Sequence, residues 1–318
     1  MFSPLLGRRQ ATGLRRTKLV AVLAVAALAL AAAGCSNDSK DAKDAKGGSL
    51  DTVRIAYIGV ASWLPAMVAE DQGFFKGEGL DVTSTIVTNL ATLPGAMGRQ
   101  FDLAATTIPD VIKAKANGVG IEAVAGEAWE TKDTSIVRLL ATPASGVKSV
   151  ADLGGKKIAA GTLGGNIHPA TLHWLAQEGV DTSTVKFSEV AFPQQPAQMK
   201  AGVVDAVEAL EPFASAMIAV GAVDLGSPLL AVGDPISISN WMASDKWAKS
   251  NADVIKRFVS ALDKAKAYIA SDEAGARKIL EKFAKLPTQV ADSVKFPTFD
   301  FNLPASDVTA WQAIVEEK

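Results

Sequence analysis

One cysteine in 318 residues cannot close an intrachain disulfide, build a zinc cluster or hold an iron–sulfur centre. Two histidines, with no G-x-S-x-G and no H-E-x-x-H stretch, leave little for nucleophilic or metal-assisted hydrolysis. No cofactor and no metal is expected, and no enzyme. Basic residues form no block after the first 20 positions, and Lys+Arg 32 against Asp+Glu 34 gives a net charge of -2, which excludes nucleic acid as a partner. A charged fraction of 21% is too high for a polytopic membrane protein, and an apolar fraction of 48% too high for a disordered chain. Single domains stop growing at roughly 250–300 residues, so the length implies two lobes.

The start carries what the remainder lacks. Arg8, Arg9, Arg15, Arg16 and Lys18 precede the uncharged, Ala/Val/Leu-rich run Leu19 to Ala33. About 20 apolar residues are needed to span a membrane, and this run has the shorter length of a signal-peptide core. Cys35 follows at once in Ala32-Ala33-Gly34-Cys35. The arrangement resembles a lipobox, with residues 1–34 removed and Cys35 taking a lipid. Ala32 stands where Leu is common. Residues 35–50, small and charged without apolar periodicity, read as a flexible tether. The mature chain is then acidic, exported and anchored to the outer face of the cell membrane.

From Thr52 onward, apolar runs alternate with helical segments, which argues α/β architecture with parallel sheets. Strands are expected at Val53–Val60, Asp81–Val87, Asp102–Thr106, Ile121–Ala125, Lys157–Ala160, Val185–Val190 and Val204–Leu210. The tail from Asn251 reads as helical. In such sheets ligands sit beyond the carboxyl ends of strands, where helices begin. The turns there supply the candidate binding residues Ser62, Trp63, Thr88, Asn89, Thr106, Thr107, Glu127, Trp129, Thr162, Gly164, Gly165, Asn166, His168, Gln194 and Glu211. They bring hydroxyls, amides, glycines and aromatics, no Arg, and Lys only at Lys132 near the edge. Residues 162–168 offer backbone N–H groups to a small anion. They lack the Lys-Ser/Thr of a nucleotide loop. Glu127 and Glu211 either cap local structure or meet a cation, and His168 either caps its helix or touches the ligand.

Four segments together resemble the solute-binding proteins of the nitrate/sulfonate/taurine class of ABC importers. These are Leu64 to Val82 (LPAMVAEDQGFFKGEGLDV), Val150 to Ala159 (VADLGGKKIA), Ala201 to Ala206 with Glu211-Pro212-Phe213, and Asn251 to Ala270. The resemblance implies a periplasmic-binding-protein-like clamshell with two crossovers, lobe 1 being 51–138 and 240–318 and lobe 2 being 139–239. Trp241, at the return crossover, joins the candidate ligand contacts. Leu210 stands where the family often has Trp. The implied function is capture of a small polar solute of the taurine or alkanesulfonate type by a monomer. It would be delivered to a membrane permease and its ATPase subunits. A thiamine-pyrimidine-like heteroaromatic is the alternative ligand, and a lipoprotein acting by protein contact alone is a third reading.

Overall fold

The computed structural model describes residues 49–316, so the expected leader, Cys35 and nearly all of the tether lie outside the described residues. The strands form two sheets. The first runs β11-β4-β10-β3-β1-β2, built from β1 (Asp51–Ile58), β2 (Leu80–Val87), β3 (Leu103–Thr106), β4 (Ile121–Glu130), β10 (Ile236–Ser244) and β11 (Thr298–Phe299). The second runs β7-β6-β8-β5-β9, from β5 (Val137–Ala141), β6 (Lys157–Ala160), β7 (Lys186–Glu189), β8 (Ala206–Leu210) and β9 (Val223–Asp224).

Helices cover both sheets. The Ala252–Ser271 helix packs Val254, Phe258, Ala261, Leu262, Ala265 and Ile269 inward, a stripe at 3.6-residue spacing, and lies against the Leu64–Asp71 helix. In the second sheet successive residues serve opposite faces. Leu139 and Ile158 belong to one apolar cluster, Leu140 and Ala159 to the other, as the two-residue period of a strand buried on both sides requires.

The two-sheet α/β expectation holds, and the parallel one needs correction. β10 runs antiparallel to β3 and β4, and β5 antiparallel to β8 and β9. β4, expected to stop at Ala125, continues to Glu130 because β10 and β11 pair along its extension. The boundaries expected at 138/139 and 239/240 fall within β5 and β10, and the chain passes between sheets at 131–136 and 225–235. Glu130 secures the first passage. Its buried carboxylate accepts from the N–H of Ile136 (3.0 Å) and Val137 (3.3 Å) and from the Ser135 hydroxyl. Burial raises its pKa despite these bonds. Lys132 lies 3.4 Å from Asp234, tying the two passages together.

Candidate functional site

Between the sheets lies a cavity lined by residues of both. Its walls come from the starts of three helices. Ser62 and Trp63 precede the Leu64–Asp71 helix, Thr107 and Asp110 open the Ile108–Ala116 helix, and Gly165, Asn166 and Ile167 open the Ile167–Gln177 helix. Pro65 and Pro109 sit in first turns, where a missing N–H costs nothing. Three helix starts turned to one space make it electropositive without a basic side chain. Ile58, Leu90, Phe192, Leu210 and Ile238 supply apolar walls, and Thr162 and Ser239 further hydroxyls.

Two polar groups stand out. Ser239 is 3% exposed and its hydroxyl has no hydrogen-bond partner, an unusual state for a buried polar atom. It reaches the cavity beside Ile238 because β10 is irregular on both sides of Ser239 in its pairing with β4. Such an irregularity turns two consecutive side chains to one face. Asp110 is the second. Its backbone N–H donates to Thr107 Oγ1 at 3.3 Å, and that hydroxyl donates to Asp110 Oδ2 at 2.8 Å. Burial pushes its carboxyl above the usual range, while Thr107 and the Lys113 ammonium pull the other way.

Of the expected site residues, Ser62, Trp63, Thr107, Thr162, Gly165 and Asn166 line this cavity. Thr88 lines a neighbouring space that shares Ile58 and Phe192 with the first. Asn89 bonds Glu189 across the sheets at 2.7 Å. Gly164 gives its carbonyl to Lys113 Nζ. Thr106 is buried and donates to the Thr107 carbonyl at 3.3 Å. Gln194 is exposed, and its neighbour Gln195 is the buried amide, donating to the Glu208 carbonyl at 3.0 Å.

The remaining candidates are turned away from the cavity. His168 meets Phe187 edge-on at 4.4 Å, with Nδ1 3.9 Å from Glu208. Glu211 accepts from the N–H (3.2 Å) and hydroxyl (2.6 Å) of Ser215 in its own helix. Glu127 and Trp129, expected in a turn, are inside β4. Trp129 donates to the Asp300 carbonyl at 2.9 Å, and Glu127 accepts from Trp241 Nε1 at 2.6 Å. Trp241 lies in β10, fully buried, and its ring meets that of Trp63 at 4.8 Å. Glu127 and Trp241 therefore stand behind the cavity wall and hold Trp63 from the rear.

Sequence reading missed Asp110, although Thr107…Asp110 has the spacing of a capping box. It also missed Ser239 and Phe192, whose approach depends on distant strands. Leu210, the position that departs from the resemblance, lies on the wall. Among the described residues no cluster of His, Cys, Asp or Glu could hold a metal ion, and no helix is long and apolar enough to cross a membrane.

Two abutting sheets with a cavity lined by helix starts define a periplasmic-binding-type fold. A family model described as NMT1/THI5 like matches residues 61–276, and the chain belongs to this family. Among solved structures it is similar to the alkanesulfonate-binding protein SsuA from Xanthomonas axonopodis pv. citri bound to MOPS, with 22% identity, 84% of this chain and 92% of that one covered and a TM-score of 0.72. The periplasmic aliphatic sulphonate binding protein SsuA from Escherichia coli gives 22%, 85%, 87% and 0.70. The desulfurization enzyme DSZB gives 16%, 84%, 91% and 0.58, so the fold also carries an enzyme. No curated protein sequence matches the chain. The resemblance expected from the four segments holds in family and in fold.

Proposed function

We propose that the protein is the extracytoplasmic solute-binding component of an ABC importer. It captures a small polar organic solute of the taurine or alkanesulfonate type and delivers it to a membrane permease. In this reading the two sheets mark two lobes, close to 51–138 with 240–318 and to 139–239. They close on the solute by hinge motion at the two passages. The observation that carries the reading is the convergence of three helix starts and several hydroxyls on one inter-sheet cavity. The positive ends of the helices there would meet sulfonate oxygens. None of the lining residues is His, Cys or Lys, and the one hydroxyl bonded to a carboxylate, that of Thr107, caps its own helix together with Asp110, which supports binding over catalysis.

The test is a thermal-shift screen followed by calorimetry over sulfonates, amines and pyrimidines, since a ligand held by the folded form raises the melting temperature by mass action. A sulfonate binding one-to-one is the expected outcome. Trp63 and Phe192 in the wall favour the second reading, a heteroaromatic ligand stacked on a ring, which pyrimidine binding without sulfonate binding would establish. Lipid attachment at Cys35 belongs to the same proposal. Cys35→Ser should leave the fold intact and release the protein from membranes on fractionation. A cleaved variant that stays membrane-bound would refute the anchor.

A further inference from the structure

We infer that the ligand carries a cationic nitrogen that seats on the Asp110 carboxylate, making it a zwitterion of the aminoalkanesulfonate kind rather than a simple anion. The inference rests on the solute-binding reading above and sharpens its ligand class. Of the fourteen residues lining the cavity, Asp110 is the one with an ionisable side chain. The two carboxylates expected to meet a cation are engaged elsewhere, Glu211 with Ser215 and Glu127 with Trp241.

Asp110 is different. The Thr107 hydroxyl fixes Oδ2 at 2.8 Å, and Thr107 is the residue whose side chain and backbone both bond this carboxylate. Lys113, one turn along, is the nearby cation, and its ammonium is turned to the Gly164 carbonyl. A carboxylate set into a largely apolar wall, with its nearest ammonium bonded to another acceptor, gains from a second cation that bonds it directly. An ammonium group on the solute supplies it. The opposite charge of the solute then faces the other two helix starts, of Leu64–Asp71 and Ile167–Gln177, and Ser239, whose buried hydroxyl lacks a partner. Leu90, Leu210 and Ile238 enclose the short apolar link between the two ends.

The competing account is that Asp110 only completes the cap of the Ile108–Ala116 helix with Thr107. Calorimetry with taurine and with ethanesulfonate, which lacks the amine, separates the two. Loss of one charge-assisted hydrogen bond corresponds to about a 10- to 100-fold change. Wild type should therefore bind taurine about 10- to 100-fold more tightly than ethanesulfonate. Asp110→Asn should lose most of that preference while holding ethanesulfonate as before, and Asp110→Glu, which keeps the charge, should retain it. Circular-dichroism melts establish that both variants fold. Equal affinity of wild type for the two ligands, or equal weakening of both by Asp110→Asn, overturns the inference. Should neither sulfonate bind, the sulfonate reading fails separately, and 4-aminopyrimidine against pyrimidine decides on Asp110. A preference for the amine that Asp110→Asn removes sustains the inference, and anything else overturns it.

Discussion

Glu127 is a fully buried carboxyl in the wall behind Trp63, accepting from Trp241 Nε1 at 2.6 Å. Burial holds its pKa well above the ordinary carboxylate value, against the opposing pull of the indole N–H. The folded protein therefore keeps this proton at pH values where the unfolded chain has released it. That contribution to stability is complete below the unfolded value, about 4.3. It is lost as pH rises through the raised folded value. Glu127→Gln keeps an acceptor for Trp241 and removes the ionisation. In urea-unfolding series from acid to neutral pH, the variant should show a flatter dependence and gain on the wild type as pH rises. Parallel curves would mean that Glu127 titrates alike in both states. Glu211 is held by Ser215, so Glu211→Gln should lower stability through its helix start and leave ligand preference unchanged.

Phe192 and Gly161 couple two elements through one missing atom. A Cβ on Gly161 would lie 2.2 Å from Phe192 Cζ, so the bare backbone after β6 is what lets the ring lie between the two cavities that share it. Gly161→Ala must displace the ring, at a cost of about 1–3 kcal/mol. Phe192→Ala alone opens space. The double variant should recover part of the Gly161→Ala loss, so that the two changes are non-additive in unfolding free energy. Strict additivity would show the ring free to step aside.

The same pair marks how far the sequence was legible. β1, β2, β3, β6, β7 and β8 lie in apolar runs bounded by turn residues, and local pattern placed them. β5 and β10 were missed because strand–helix alternation points to parallel neighbours, whereas both are interior strands that run antiparallel to the strands on either side. The Gly-Glu-Ala-Trp-Glu end of β4 reads as a polar turn. Its carboxylates are buried because Trp241 and the N–H groups of 136 and 137 come to meet them. Helix starts were readable from Thr, Ser, Gly and Pro, and with them six of the fourteen residues lining the cavity. The apolar walls and Ser239 depend on pairing register, which no local pattern encodes.

At the scale of the whole molecule the two sheets are joined by few polar contacts outside the passages. Asn166 Nδ2 donates to the Ile238 carbonyl at 2.7 Å, Ala61 N–H to the Glu211 carbonyl at 3.1 Å, Lys113 to the Gly164 carbonyl, and Asn89 to Glu189 at 2.7 Å. Neither Asn89 nor Glu189 lines the cavity, so under the proposed hinge motion the pair would act on closure rather than on the ligand. Glu189 also accepts from the Leu163 N–H at 3.0 Å, which fixes it to the 162–168 turn. The contact is exposed, so its net worth is about 1 kcal/mol, or about a fivefold bias toward the closed arrangement. Apparent affinity scales with the fraction of molecules in the binding-competent state. Asn89→Ala and Glu189→Ala should each weaken binding by no more than about fivefold through faster release, with association little changed. The double variant should lose less than the sum of the two single ones, because each of them already breaks the shared bond. Small-angle scattering of the ligand-free variants should show a larger radius of gyration, which saturating ligand restores. Additive losses with an unchanged radius would place Asn89 and Glu189 as independent supports of their own turns.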